Sequence, residues 1–308
     1  MVEKPLVSIL INNYNYGHFL GEAVDSALNQ SYNPLEIIIV DDGSTDNSRE
    51  VIATYEQNVK LVLKENGGQA SALNRGFSES NGEIICFLDA DDIFKPRKIE
   101  TIVEKFKSYP EADWLFHSLL FFAESNSLND SEPSPNFSGF YDLRSSMKKG
   151  RLDGALPFDL SIATSGMCFK RDFLRRILPM PEAIKITSDD YLKYVTLGKS
   201  VGIIELSNLS LQRIHGNNAY TNRTDQGSVK SKTQILTAYY IKKNFPELSS
   251  FSNNLLSLGI ALYWWNKKTE PEIQEIVLRY LNKISNTEKV WIYIKAIYYR
   301  YIYYLFKA

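Results

Sequence analysis

Leu35-Glu36-Ile37-Ile38-Ile39-Val40 runs directly into Asp41-Asp42-Gly43-Ser44-Thr45-Asp46. The first half is a short, nearly unbroken apolar run rich in β-branched residues. The second half gathers acids and turn formers. An apolar run without alternation fits a parallel strand buried on both faces. The same shape recurs at Leu6–Ile11, Lys60–Leu63 and Glu83–Leu88. Helical spacings lie between the runs. Leu20, Ala23, Val24, Ala27 and Leu28 share one face, as do Ile99, Ile102, Val103 and Phe106 after Pro96. Pro96 suits a helix first turn. A further helix is expected from Gln69 to Ser80. Strands alternating with helices predict an α/β fold, with a mostly parallel sheet flanked by helices.

Polar clusters sit where three of these strands end: Asn12-Asn13-Tyr14-Asn15, Asp41-Asp42-Gly43-Ser44 and Asp89-Ala90-Asp91-Asp92. Open α/β sheets bind ligands beyond the carboxyl ends of their strands, so the clusters are expected to converge on one crevice. The two-residue repeat of a strand can aim Asp89 and Asp91 the same way. Clustered carboxylates repel, and oxygen ligands suit a hard cation such as Mg²⁺ or Mn²⁺. The bland alternative is a solvated acidic turn that caps the helix after Pro96. Asp42 can accept a hydrogen bond from a base or ribose, or simply belong to a turn. Tyr14 can stack on a base, or be an ordinary half-buried aromatic. Gly67-Gly68, just before Gln69, lets a backbone approach a ligand, or is a plain loop. No Gly-x-x-x-x-Gly-Lys and no Gly-x-Gly-x-x-Gly occurs, which removes the main sign of a nicotinamide or flavin enzyme.

The bulk numbers narrow the class. The 308 residues are 44% hydrophobic, enough for a full core, and suggest one large domain with an appendage or two domains. Thirty-five Lys+Arg balance 36 Asp+Glu, so the basic excess of a nucleic-acid binder is missing. Cys86 and Cys168 sit in apolar runs and read as small core residues. No signal-peptide pattern is visible, and the default setting is the cytoplasm.

Taken together, Asn13-Tyr14-Asn15, Val40–Asp46, Ala72-Leu73-Asn74-Arg75-Gly76 and Phe87–Asp92 resemble the family 2 glycosyltransferases of the GT-A fold, over roughly residues 5–215. The resemblance implies a nucleotide-sugar donor, probed by Asn12, Tyr14, Asp42, Gln69 and Asp89. It places Asp91 on the metal ligand of the Asp-x-Asp motif, with Mn²⁺ or Mg²⁺ as cofactor. Ser188-Asp189-Asp190 resembles the family's acidic pair at a helix start, which puts the catalytic base on Asp190. Asp189 replaces the usual Glu there. Arg213-Ile214-His215 resembles an Arg-x-His segment, which makes His215 a second metal ligand. Each of these acids and His215 also has an ordinary reading, as a helix N-terminus or a core residue. The expected chemistry is inverting transfer of a hexosyl group, with a UDP-sugar as donor and a glycan or lipid-linked hydroxyl as acceptor, in polysaccharide biosynthesis. Rival readings are a non-catalytic nucleotide-sugar-binding subunit and a nucleotidyltransferase that makes nucleotide sugars.

The second half is less legible. Ala123 to Phe140 reads as a long surface loop. Arg144 to Leu211 gives mixed signals, and Thr164-Ser165-Gly166 is a guess for the acceptor side. Beyond Thr224 strand signals fade, and helices are expected at Val229–Asn244, Asn253–Trp265, Pro271–Ile284 and Glu288–Phe306. The expected domains are 1–224, catalytic, and 225–308, an all-helical extension. The last helix is aromatic and basic. It supports two readings: peripheral contact of 288–308 with the inner face of a membrane, or packing against the chain's own core or a second subunit in a homodimer.

Overall fold

The structure is a computed structural model that describes residues 4–122, 138–152, 162–216, 218, 223–266 and 270–307. In chain order it opens with β1 (Val7–Asn13), α1 (Gly17–Leu28), β2 (Leu35–Asp41), α2 (Ser48–Ala53), β3 (Lys60–Leu63) and α3 (Gln69–Glu79). Then come β4 (Ile84–Asp89), β5 (Ile93–Phe94), α4 (Lys98–Ser108), β6 (Trp114–Phe122), β7 (Gly139–Tyr141) and α5 (Arg144–Lys148). The chain continues through β8 (Met167–Lys170), α6 (Arg171–Ile177), α7 (Asp189–Lys199) and β9 (Gly202–Arg213). It closes with α8 (Gln226–Asn244), α9 (Ser249–Asn266), α10 (Pro271–Leu281) and α11 (Asn286–Lys307).

The described residues fall into two compact units. The first draws on Met1–Asp142, Leu156–Lys185 and Ser200–Gly216. Its sheet runs β3-β2-β1-β4-β8-β6-β9-β5, with β7 paired to β9. The β3-β2-β1-β4 half is parallel throughout. In the other half β6 and β9 run parallel, while β8 pairs antiparallel with β4 and β6. The α/β sheet with flanking helices expected from the sequence is therefore present. The apolar runs are strands because both faces are covered: Ile9, Ile11, Ile37, Ile39, Cys86 and Leu88 meet Leu20, Ala23, Val24 and Ile99 in one core. Each such buried side chain contributes about 1.5–3 kcal/mol. Cys86 and Cys168 are free thiols in this interior and face each other across β4 and β8.

Two expectations need correction. Gly139 and Phe140 belong to β7, which pairs with Ile204 and Ile203 of β9, so the expected loop does not reach Phe140. Residues 123–137 of that stretch lie outside the described residues. Secondly, the acids at 89–92 cap no helix: α4 starts at Lys98, with Arg97 as its cap position.

The second unit draws on Leu143–Ala155, Ile186–Lys199 and Asn217–Ala308, and is helical. α8 and α9 approach closely at Gly259, where an added Cβ would lie 2.7 Å from an Ile235 side-chain carbon. Ser231 donates to the Gly259 carbonyl at the same contact, 2.9 Å away. Ile235, Leu236, Leu256 and Ile260 fill this helix layer, and α11 contributes Ile292 and Ala296 to it. Among the described residues no helix is long and apolar enough to cross a membrane.

Candidate functional site

The parallel register brings the strand ends level. Asn12 pairs with Val40 on one side and with Asp89 on the other. The end of β1 therefore lies between the acids that close β2 and β4. A sequence that places polar residues at three such ends has no core to bury them in, and they gather at one edge of the sheet.

Asp89 is the last residue of β4. Its Oδ1 accepts from Asn12 Nδ2 at 2.9 Å and from Gln69 Nε2 at 3.4 Å. Gln69 also donates to Thr164 Oγ1 at 2.9 Å, and the Asp89 N–H donates to Ser165 Oγ at 3.0 Å. Asn12, Gln69 and Asp89 thus form one hydrogen-bonded group, with Thr164 and Ser165 fixed beneath it. The sequence offered Thr164-Ser165-Gly166 only for the acceptor side, whereas Thr164 and Ser165 bond Gln69 and Asp89.

Asp91 lies two residues past the strand, in a turn closed by the Asp92 N–H to the Asp89 carbonyl at 3.0 Å. The two carboxylates do not share the strand repeat expected of them. Asp91 Oδ2 is instead 3.0 Å from His215 Nε2. The His215 ring packs edge-on to Tyr16 and at 4.5 Å from Phe19. Arg213 secures the turn, because its N–H donates to Asp92 Oδ1 at 3.1 Å and its Nε to the Asp91 carbonyl at 3.2 Å. Its guanidinium bonds Glu22 at 2.8 Å and lies over the Phe19 and Phe122 rings. Burial, with Asp91 and Asp89 beside it, pushes the Asp92 carboxyl well above its usual range.

One carboxylate and one imidazole are a fit donor pair for a divalent ion. No group of three or more such ligands occurs among the described residues. An ion held there would take at most these two ligands from the chain, and oxygens of a diphosphate would suit its remaining positions.

Asp42 is held by partners within the chain. Its Oδ1 accepts from the Gly67 N–H at 3.0 Å and from Lys64 Nζ at 2.5 Å, and its Oδ2 from the Gly68 N–H at 2.7 Å. Asp42 is buried, and its carboxylate organises the glycine loop before α3. Tyr14, by contrast, is 46% exposed at the same edge. Asn15 takes a left-handed backbone (φ 57°), and its Oδ1 accepts from the Thr45 N–H at 2.7 Å, which ties the first strand end to the second. Asp46 accepts from the Gly17 N–H at 2.9 Å and the Ser48 N–H at 3.0 Å, and so holds the starts of α1 and α2.

Gly68 is confined on two counts. Its φ is +87°, and a Cβ would sit 2.8 Å from the Lys185 Cα. Gly68→Ala is expected to destabilise the protein by about 2 kcal/mol or more, since the backbone strain and the clash with main chain add. A melting temperature equal to the wild type's would refute this account of the loop.

In the second unit, Asp189 and Asp190 open α7. Asp190 Oδ1 pairs with Lys193 Nζ at 2.5 Å. Desolvation and the Asp190 charge push Asp189 up to about 6. Thr187, just before the pair, has a φ of 53°, unusual for a β-branched residue. Its carbonyl accepts from the Asp190 N–H at 3.3 Å.

Comparison with known proteins identifies the family and the fold. The model for Glycosyl transferase family 2 matches residues 8–178. An uncharacterized glycosyltransferase of Nostoc sp. is 35% identical over 247 residues, 76% of this chain and 74% of that protein. Glycosyltransferase GlyG of Streptococcus pneumoniae is 42% identical over 106 residues, and the match spans 33% of this chain and 35% of GlyG. Among solved structures, S. aureus TarS 1-349 in complex with UDP-GlcNAc aligns with TM-score 0.61 at 16% identity, over 96% of this chain and 89% of that one. The mannosyltransferase PcManGT of Pyrobaculum calidifontis, with GDP-Man and Mn²⁺, aligns with TM-score 0.51 at 16% identity, over 96% and 85%. With the family match covering more than half of its length, this chain belongs to glycosyl transferase family 2.

Proposed function

We propose that this glycosyltransferase moves a hexosyl group from a UDP-sugar to an acceptor hydroxyl of a glycan or lipid-linked glycan, with inversion and with Mn²⁺ or Mg²⁺ bound. The Asp91–His215 pair at 3.0 Å, beside the Asn12–Asp89–Gln69 group, is the observation that carries this reading. Asp91 and His215 would hold the metal, which when bound offsets the charge that grows on the leaving diphosphate. Asp89 and Asn12 are assigned to the donor's ribose and diphosphate side, and Gln69 positions Asp89. Tyr14 offers an exposed ring for the base. Asp42 acts on the nucleotide through the Gly67-Gly68 loop it organises. Asp190 is assigned as the base that takes the proton of the acceptor hydroxyl, a weak nucleophile until it loses that proton. A single displacement opposite the leaving group inverts the anomeric carbon.

The test is calorimetry with UDP, GDP, dTDP and their sugar conjugates, with and without Mn²⁺, on the wild type and Asp91→Ala. Metal-dependent binding of one donor, weakened at least about tenfold in Asp91→Ala, is expected. Absence of nucleotide binding under every metal condition would leave a family fold without its chemistry. NMR of the product settles the stereochemistry: retention of the donor's configuration would refute single displacement.

A further inference from the structure

α11 is amphipathic in an unequal way. One narrow stripe, Ile292 and Ala296, is buried against the helices of its own unit. The rest of its circumference carries large apolar side chains in solvent: Val290, Trp291, Ile294, Ile297, Tyr298 and Tyr301, of which Trp291 is 63% and Tyr301 70% exposed. At about 100° per residue, these and Tyr293 span an arc of about 160° between residues 290 and 301, and no charged residue falls inside it. The charges lie at its margins. Lys289 and Arg300 border one side, next to Tyr293, and Lys295, whose Nζ donates to Asn254 Oδ1, borders the other, next to Trp291. The one acid of the described helix, Glu288, is already engaged by the Ser285 N–H at 3.0 Å, Asn253 at 3.1 Å and Lys242 at 3.8 Å.

We infer that this face of α11 lies in the plane of an anionic lipid bilayer, in its headgroup layer. Several features fit that occupant together. The helix is not apolar enough to cross a membrane. A wide uncharged arc matches the acyl boundary, and Lys289 and Arg300 on the Tyr293 rim can reach lipid phosphates while their stems stay on the apolar side. Trp and Tyr prefer the depth where one end of the ring is apolar and the other wet. A second copy of the same face is a poorer match. It would bring two basic rims together, and Glu288 is committed within its own chain. The inference is independent of the sugar-transfer reading, because it uses none of the residues placed there.

The experiment is flotation of the full chain with vesicles of phosphatidylcholine alone and of phosphatidylcholine mixed with phosphatidylglycerol. Binding to the anionic vesicles is expected, weaker at high salt. Trp291→Glu with Ile294→Glu is expected to lower it at least about tenfold, since both side chains leave water on binding. Thermal melting of the variant reports the fold. If that variant melts early, Lys289→Gln with Arg300→Gln replaces it: weaker binding to anionic vesicles, with an unchanged melting temperature, supports the inference. The inference is overturned if the wild type floats with neither vesicle. It is equally overturned if sedimentation shows a dimer in solution that the Trp291/Ile294 variant dissolves.

Discussion

Asp190→Asn is expected to cut kcat by between about a hundredfold and ten-thousandfold, the range for loss of a positioned proton acceptor. The carboxamide keeps the shape of the side chain and the polarity of the helix start, but it has no basic oxygen for the acceptor's proton. Donor binding should change little, because the nucleotide residues are assigned to the first unit. The substitution also strips Lys193 of its partner. Burial works against the Lys193 charge, while Asp190 outweighs that effect and holds the lysine protonated. Some loss of melting temperature therefore accompanies the kinetic loss and is measured alongside it. Activity near the wild-type level would remove Asp190 from the chemistry.

Asp189→Asn separates the two acids. If Asp190 is the base, this variant retains much of the activity, whereas abolition would move the role to Asp189. The wild-type pair should show an acidic limb near pH 6, where Asp189 takes up a proton and the paired charge falls. Stability gives an independent readout. Asp189 binds its proton more tightly in the folded state than at its ordinary 3.8. Its ionisation therefore costs stability as pH rises from about 4 through about 6, and none of that cost applies below both values. Asp189→Asn should be more stable than the wild type by about 1–2 kcal/mol above that window, after allowance for the partial exposure of the group. The gain should vanish near pH 4. A left-handed Thr187 beside an unfavourable carboxylate is the kind of local strain that functional sites retain.

What could be read from the sequence follows from the physics of the sheet. β1, β2 and β4 announce themselves because a parallel strand covered on both faces must be apolar along its length, and their polar ends then mark the site. The meeting of Asn12 and Asp89 at one sheet edge was legible for that reason, and the family resemblance drew attention to Asp91 and His215, which lie 3.0 Å apart. β8 has only Met167-Cys168-Phe169-Lys170, too short for any period to show. β9 hides behind its own irregularity. Its register against β6 jumps between His117 and Leu119, and the displaced segment carries Glu205 and Ser207, which bond each other. The sequence around Asp42 suits either a turn or an acceptor for a base or ribose, and it does not show the carboxylate's partners within the chain. Its partners are backbone amides about 25 residues away in the chain, which no local pattern encodes.

Lys98 was the least legible of all, and its removal is the second large effect expected. A lysine in a helix first turn after Pro96 reads as solvated, yet this side chain is fully buried. Its Nζ donates to the Ser165 carbonyl at 2.6 Å and to Ser210 Oγ at 3.0 Å, and it lies over the Phe94 ring. Ser165 in turn receives the Asp89 N–H, so Lys98 supports the acidic strand end from below. Burial pushes its ammonium down to about 8, against nearby Cys168, Cys86 and Asp92, which favour the charge. Lys98→Ala would leave a cavity and remove two hydrogen bonds, with only Ser210 Oγ still donating to the Ser165 carbonyl at 3.0 Å, at a cost of about 3–5 kcal/mol. Lys98→Met fills the same volume without burying a charge, so at pH 7 it should be far less damaging. The sign with pH is opposite to that of a raised group. Because the folded value lies below the ordinary 10.5, the unfolded chain holds more protons between about 8 and 10.5. The wild type should gain stability from this group across that window as pH rises, and Lys98→Met should lack that slope. Denaturant melts of the three proteins at pH 7 and pH 10 decide the matter. Equal stability of the Ala and Met variants would mean that the volume of the lysine's stem contributes nothing here. A donor affinity that falls in Lys98→Ala under conditions where the variant is still folded would show that this buried contact reaches the site through Asp89.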